Sequence, residues 1–525
     1  MENFGIGSWL QRRRLKSGNK TALVTGNREL SYIEFADASV RLANSLRDRG
    51  VAKGERVAYL GENHPAFLQT LFAAGLLGAI FVPLNTRLAP PEIQFQLQDC
   101  GARILIHSQS LDVLATRGSD GTPLTGRIVV DDVSEGTAAP SENVAGQGTI
   151  AVEDFETVLA AGSDQFVDVS VGLDDGAMIL YTSGTTGRPK GALLTHGNVV
   201  WNCMNVIVDF DFTSTDVALM ISPMFHVASL NMGVLPTLLK GGTVVLEAKF
   251  DARRTLHLIE KHRTTTISGV PTTYQMLCEH ADWVATDLGS LKKLTCGGSA
   301  VPMRVLEAYE ERGLHFSNGY GMTETAPGAT TLPADRSREK AGSSGLPHFF
   351  TDVRIADFDG SEAPPETVGE IHIKGPNVIG QYWNRPDAMD QAITADGWFR
   401  SGDMGYKDTD GFVFISDRLK DMIISGGENI YPAEVEQAIT DLQAVASVAV
   451  IGVLDEKWGE VPRAVILLRE GAQLTEDEVR THLAGRLARY KIPKSFAFVS
   501  EMPRTASGKI RKADLRAQLT NLRDH

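Results

Sequence analysis

Short apolar runs of strand length alternate with longer runs of helical period along most of this chain, and that alternation restricts the fold more than any other feature. Arg56–Leu60, Ala79–Val82, Ile104–His107, Ala177–Tyr181, Val217–Ile221 and Thr243–Leu246 read as short buried strands. Between them, segments such as Tyr32–Arg49 and Asp251–Lys261 repeat apolar residues at helical spacing. A strand covered on both faces is apolar throughout, and a helix supplies the crossover to the next parallel strand. The pattern therefore predicts α/β layers with largely parallel sheets. At roughly 150 residues per domain, 525 residues leave room for three or four folding units. One run, Ala66–Leu84, is long enough to span a membrane, but Gln69, Gly75, Gly78 and Pro83 interrupt it. It reads as a buried helix to Leu77 followed by a buried strand, Ala79–Pro83.

Charge and cysteine content narrow the class. A formal charge of −14 argues against non-specific nucleic-acid binding by the whole surface. The four cysteines (Cys100, Cys203, Cys278, Cys296) are far apart and match neither a metal spacing nor a disulfide scaffold, so a reducing cytoplasm is expected. No apolar stretch follows the basic start, as a secretory signal would require. Arg12, Arg13, Arg14 and Lys16 read as a solvated helix face, with weak peripheral contact with anionic lipid at the inner membrane surface as the alternative. Oligomeric state is not legible.

The expected organisation is a large N-terminal domain of layered α/β sheets over residues 1–416, whose part from about 350 to 416 is a small β-subdomain. That part is rich in short strands and Asp-Gly turns (Asp359-Gly360, Asp396-Gly397, Asp410-Gly411). A charged join, Asp417–Asp421, leads to a small, mobile α+β C-terminal domain over residues 422–525. There a helix opens at Pro432, strands Val445–Leu454 and Ala464–Leu468 follow, and Thr475-x-x-Glu478 forms a capping box. The polar stretch Gly118–Gly148 reads as a surface excursion. From Arg486 to His525, ten Lys/Arg face three Asp/Glu, a local +7 that suits either a solvated helix face or a phosphate-rich ligand.

The strongest local signal is Tyr181-Thr182-Ser183-Gly184-Thr185-Thr186-Gly187-Arg188-Pro189-Lys190-Gly191. A buried strand runs into a loop of hydroxyl residues and glycines that can turn N–H and O–H groups around phosphate oxygens, with Lys190 adding charge. It is not a Walker A loop, because Lys190 precedes Gly191 and an apolar strand-like Ala192-Leu193-Leu194 rather than opening a helix.

Further motifs follow in order: Pro223-Met224-Phe225-His226, Gly297-Gly298-Ser299-Ala300, Tyr320-Gly321-Met322-Thr323-Glu324, Trp398-Phe399-Arg400-Ser401-Gly402-Asp403, Ser425-Gly426-Gly427-Glu428-Asn429 and Pro503-Arg504-Thr505-Ala506-Ser507-Gly508-Lys509. With these, the chain resembles from end to end the adenylate-forming superfamily of acyl- and aryl-CoA synthetases, luciferases and peptide-synthetase adenylation domains. Within it the chain looks most like bacterial fatty-acid–CoA ligases. The resemblance implies ATP, Mg²⁺ and coenzyme A as cofactors and cosubstrates.

It also implies roles. Thr182, Ser183, Gly184, Thr185, Thr186, Gly187 and Lys190 would hold the β and γ phosphates. Thr323 would touch the α-phosphate and Glu324 would ligate Mg²⁺, a cation that prefers hard oxygen ligands. Gly298, Ser299, Ala300 and Tyr320, with Gly321, would form the adenine slot. Asp403, an acceptor-only carboxylate, would take both ribose hydroxyls, with Arg418 beside it. Lys509 would bridge the attacking carboxylate and the α-phosphate, stabilising charge that develops in the transition state. Rotation about Lys420 would exchange Lys509 for a CoA channel at Gly426 and Gly427. Phe225, His226, Ala228, Gly321 and Ala326 would border the acyl pocket, His226 acting as its gate.

The expected pocket walls, Phe225–Gly233 and Gly319–Thr330, contain many small residues (Ala228, Ser229, Gly233, Gly321, Ala326 and Gly328) and no obvious buried charge, so a medium- or long-chain fatty acid is the leading expectation for the substrate. An aromatic acid of the cinnamate or benzoate type is the alternative. A freestanding enzyme that loads a carrier protein instead of CoA is a further one.

Overall fold

The computed structural model describes residues 2–132, 150–167, 169–182, 189–297, 301–357, 359–418, 421–425, 428–455, 458–484, 486–487, 489–504 and 510–519. Two large sheets dominate. The first has nine strands. Thr21–Thr25, Thr243–Leu246, Val217–Met220, Thr266–Gly269, Lys293–Gly297 and Phe316–Gly321 run parallel; antiparallel Gly328–Leu332 and Leu346–Pro347 finish one edge and antiparallel Arg28–Ser31 the other. The second has eight strands. Its parallel part comprises Ala151–Asp154, Gly126–Val130, Ile104–Ser108, Arg56–Leu60, Ile80–Pro83 and Gly176–Thr182, followed by antiparallel Lys190–Thr195 and Gln381–Tyr382.

The run that resembled a membrane span is the layer between these sheets. Helix Pro65–Leu77 buries every one of its residues, and strand Ile80–Pro83 follows it. A helix apolar all round needs protein on all sides, and here it finds both sheets. One continuous core joins Phe67, Leu71 and Phe72 to Val244 and Leu246 of the first sheet and to Tyr59 and Phe81 of the second. No helix among the described residues is long and apolar enough to cross a membrane.

Four antiparallel strands, Asp352–Ala356, Gly369–Lys374, Phe399–Lys407 and Val413–Arg418, form the β-subdomain. Its last strand reaches Arg418, two residues into the stretch expected as a join, while Leu419 and Lys420 lie outside the described residues. The C-terminal part has its own small core. Helix Pro432–Thr440 turns Val435 and Ile439 onto strands Val445–Asp455 and Gly459–Leu468. The latter strand starts five residues before the expected Ala464. The Thr475–Glu478 capping box forms as read.

Two expectations change. Gly118–Gly148 is not all surface excursion: Gly126–Val130 alternates buried and half-buried residues and adds a strand beside Ile104–Ser108, while residues 133–149 lie outside the described ones. The local +7 is also met in part from within, by three ion pairs to acids outside the segment. Lys491 pairs with Glu434, Lys512 with Glu436 and Arg516 with Asp421, each at 2.8 Å. At the N-terminus, Arg13 donates to the Leu239 carbonyl and Arg14 pairs with Asp37, so two of the four cations face the body of the protein.

Candidate active site

Strands Gly176–Thr182 and Lys190–Thr195 are antiparallel neighbours, with Thr182 opposite Lys190. The hairpin thus presents a hydroxyl and an ammonium at the two ends of the glycine-rich loop, whose Ser183, Gly184, Thr185, Thr186 and Gly187 lie outside the described residues. Glu324 sits beside this neck, in the short turn Thr323–Thr325 that follows the last parallel strand of the nine-stranded sheet. The turn requires Gly321: a Cβ there would lie 1.7 Å from the Pro327 carbonyl, which accepts from the Met322 N–H at 3.0 Å.

Glu324 is held by a residue the motifs do not single out. The Tyr382 phenol donates to Glu324 Oε1 at 2.9 Å, and Thr182 Oγ1 reaches the same oxygen at 3.5 Å. Lys190 Nζ lies 5.4 Å above the Tyr382 ring. Burial first, and then the neighbouring Glu324 charge, push the Tyr382 phenol far above its ordinary pKa. It therefore stays a protonated donor. An aromatic in a short polar stretch carries no periodic signal, so only a three-dimensional view finds it.

On the other side of the turn, the Tyr320 phenol donates to Asp403 Oδ2 at 2.7 Å, and Asp403 is buried. Asp403 lies opposite Arg418 in the β-subdomain register. The side chain of Arg418 and residues Gly298, Ser299 and Ala300 lie outside what is described, although strand Lys293–Gly297 leads to the latter beside Phe316–Gly321.

A ladder of buried amides holds these pieces in place. Asn377 Nδ2 donates to the carbonyls of Thr325 and Gly328, both at 2.7 Å, and its Oδ1 accepts from Thr351 at 2.8 Å. Asn202 Oδ1 accepts from the Gly328 N–H at 3.0 Å, and Asn231 Nδ2 donates to the Ala326 carbonyl at 3.1 Å. Backbone that must leave regular structure to carry a functional side chain needs such partners.

At the expected acyl pocket, Phe225 and His226 pack ring to ring with centroids 4.6 Å apart. Asn63 fixes the segment before them: its Oδ1 accepts from the Met224 N–H at 2.8 Å and its Nδ2 donates to the Ser222 and Glu247 carbonyls. Ala228 and Gly321 are exposed, whereas Ala326 is fully buried and its methyl belongs to the main core. At Gly328, an added Cβ would lie 2.7 Å from His348 Nε2. Some of the small residues read as pocket wall are therefore small because other groups pack against them.

Lys509, Lys420, Gly426 and Gly427 lie outside the described residues, so the structure neither brings them to this cluster nor separates them from it. For a cation, the described residues hold no group of three or more His, Cys, Asp or Glu. One carboxylate, Glu324, with a hydroxyl at Thr182 suits Mg²⁺, which keeps several waters and is completed by substrate phosphates. It does not suit a cation that needs a full protein cage.

Residues 10–383 match the model of the AMP-binding enzyme family, and residues 434–509 match the AMP-binding enzyme C-terminal domain. The chain is 47% identical over 517 residues to a feruloyl-CoA synthase from an Amycolatopsis species, covering 98% of this chain and 99% of the relative. It is 36% identical to the long-chain-fatty-acid–CoA ligase FadD13 of Mycobacterium tuberculosis, covering 98% of both. The o-succinylbenzoate coenzyme A synthetase MenE of Bacillus subtilis, solved with ATP and magnesium, superposes with a TM-score of 0.85 at 33% identity, over 98% of this chain and 99% of that one.

Proposed function

The chain belongs to the AMP-binding enzyme family as an AMP-forming acid–CoA ligase, and from that premise we propose that the acid it activates is aromatic, of the cinnamate or benzoate type. The observation that carries this reading is the full-length likeness to a feruloyl-CoA synthase at 47% identity, against 36% for the fatty-acid ligase. The site supports it. Ala326 and Gly328 are taken up by core packing and by His348, which removes part of the small-residue lining that an elongated aliphatic chain would need. Phe225 and His226, tilted ring against ring at 53°, would supply aromatic contacts to a ring. This reading replaces the fatty acid suggested by the sequence.

In the proposed mechanism the acid's carboxylate attacks the α-phosphorus of ATP and pyrophosphate leaves. Two anions meet, so the site's task is to neutralise charge and fix geometry rather than to supply a strong base. Thr182, Lys190 and the loop between them hold the β and γ phosphates. Glu324, steadied by Tyr382, carries Mg²⁺, which when bound offsets phosphate charge; Thr323 touches the α-phosphate. Tyr320, with residues 298–300, receives adenine, and Asp403 with Arg418 takes the ribose. Lys509 stabilises the charge of the adenylation transition state. The C-terminal domain then turns about Lys420, and the thiol of CoA, entering past Gly426 and Gly427, attacks the acyl carbon as AMP leaves. His226 gates that approach.

Pyrophosphate release over a panel of cinnamic, benzoic and C6–C18 aliphatic acids, with and without CoA, tests the reading. The expected result is higher kcat/KM for aryl acids and CoA-dependent AMP release. Higher kcat/KM for any saturated fatty acid than for every aryl acid overturns it.

A further inference from the structure

The geometry points to Tyr382 as a positioning residue for the metal-binding carboxylate, an inference that rests on the proposed role of Glu324. One short segment holds Glu324 twice. The Tyr382 phenol donates to Glu324 Oε1 at 2.9 Å, and the Ile379 N–H donates to the Glu324 carbonyl at 2.9 Å. Among the described residues, the other side-chain contact to that carboxylate is Thr182 at 3.5 Å, the outer limit of a hydrogen bond.

Tyr382 is itself rigidly placed. Its backbone pairs with Ala192 in the eight-stranded sheet, and the ring lies under Lys190 Nζ. Next to it, the Trp383 N–H donates to the Gly191 carbonyl at 2.7 Å, and its indole N–H donates to the Asp99 carbonyl at 3.0 Å. A single side chain therefore links the hairpin that carries the phosphate loop to the carboxylate of the neighbouring sheet. Fixing Oε1 with a donor sets the rotamer in which the carboxylate lies beside Thr182. Groups that orient a metal ligand in this way typically change metal affinity by about 10–100-fold when removed.

Tyr382→Phe removes one oxygen and keeps the ring. ATP binding by isothermal titration calorimetry across a magnesium series is the readout, together with ATP binding in EDTA and the urea midpoint. The expected result is that the magnesium concentration for half-maximal ATP affinity rises about tenfold or more, while ATP binding in EDTA and the urea midpoint match wild type. An unchanged or lowered magnesium requirement overturns the inference. So does an equal loss of ATP binding in EDTA, which would mark a general distortion. Glu324→Gln is measured beside it. If Gln raises the magnesium requirement and Phe does not, the positioning role alone fails. If neither variant raises it, Glu324 is not the metal ligand and both readings fall.

Discussion

The Tyr320 phenol donates a 2.7 Å hydrogen bond to Oδ2 of Asp403, joining the last parallel strand of the nine-stranded sheet to the third strand of the β-subdomain. The proposed nucleotide site is thus built across two sheets by residues 83 positions apart in the chain.

A hydrogen bond to a charged group is worth about 1.5–3 kcal/mol, so Tyr320→Phe is expected to raise the KM for ATP about tenfold. Asp403→Ala, which also removes the ribose acceptor, is expected to cost at least about 100-fold in kcat/KM for ATP. Steady-state pyrophosphate release measures both. A Tyr320→Phe enzyme with wild-type KM would mean that the pair does not shape the nucleotide site.

The gate at His226 separates the half-reactions. His226→Ala is expected to slow thioester formation from preformed acyl-adenylate about tenfold or more, toward the roughly 100-fold that misplacing a reacting group can cost, and to leave acid-dependent pyrophosphate release within about twofold. Single-turnover measurements of each half-reaction provide the test. Equal losses in both would remove the gate.

Asn377 predicts a stability effect at a distance from the chemistry. Its amide satisfies the Thr325 and Gly328 carbonyls, and it is fully buried. Asn377→Leu leaves those acceptors without their donor, at about 1–3 kcal/mol each. The urea midpoint should fall clearly, and the Mg²⁺ requirement should rise because the Glu324 turn loosens. A variant as stable as wild type would contradict this.

Stability should also fall with acidity above the carboxylate range. Burial pushes His196 and His107 from an ordinary 6.5 down to about 4. His196 Nδ1 must stay unprotonated to accept from the Ile6 N–H at 3.2 Å. Between pH 6.5 and 4 the unfolded chain binds protons that the folded chain does not, so stability rises with pH in that window, by up to about 1.4 kcal/mol for each site over one pH interval of 1. Asp396, held down to about 2 chiefly by its hydrogen bond from Arg354, stays ionised in the folded chain throughout this window. The urea midpoint should therefore drop between pH 6.5 and pH 5, less so in His196→Gln. A flat midpoint would contradict the assignment.

The parallel strands are legible in the sequence because burial on both faces leaves an uninterrupted apolar run, as in Arg56–Leu60 and Thr243–Leu246, both observed with those bounds. Gly126–Val130 is hidden because it lies in a polar stretch and buries only alternate residues. Motif order points to Glu324, Tyr320 and Asp403, and the structure brings Glu324 beside Thr182 and Tyr320 beside Asp403. Tyr382, Asn63 and Asn377 escape detection because single buried hydrogen-bonding residues have neither period nor motif. The substrate is hard to read for a related reason: a small residue looks the same in sequence whether it borders a cavity or, like Gly321, admits a neighbouring carbonyl.

The proposed chemistry depends most on one cation, Lys509, meeting the acid and ATP only in the first half-reaction. Acyl-AMP formation and thioester formation from synthetic acyl-AMP should be measured separately in Lys509→Ala. Adenylation is expected to fall at least about 100-fold, the scale seen when one charge-stabilising donor is removed, with thioester formation close to wild type. Adenylation at the wild-type rate would contradict the mechanism.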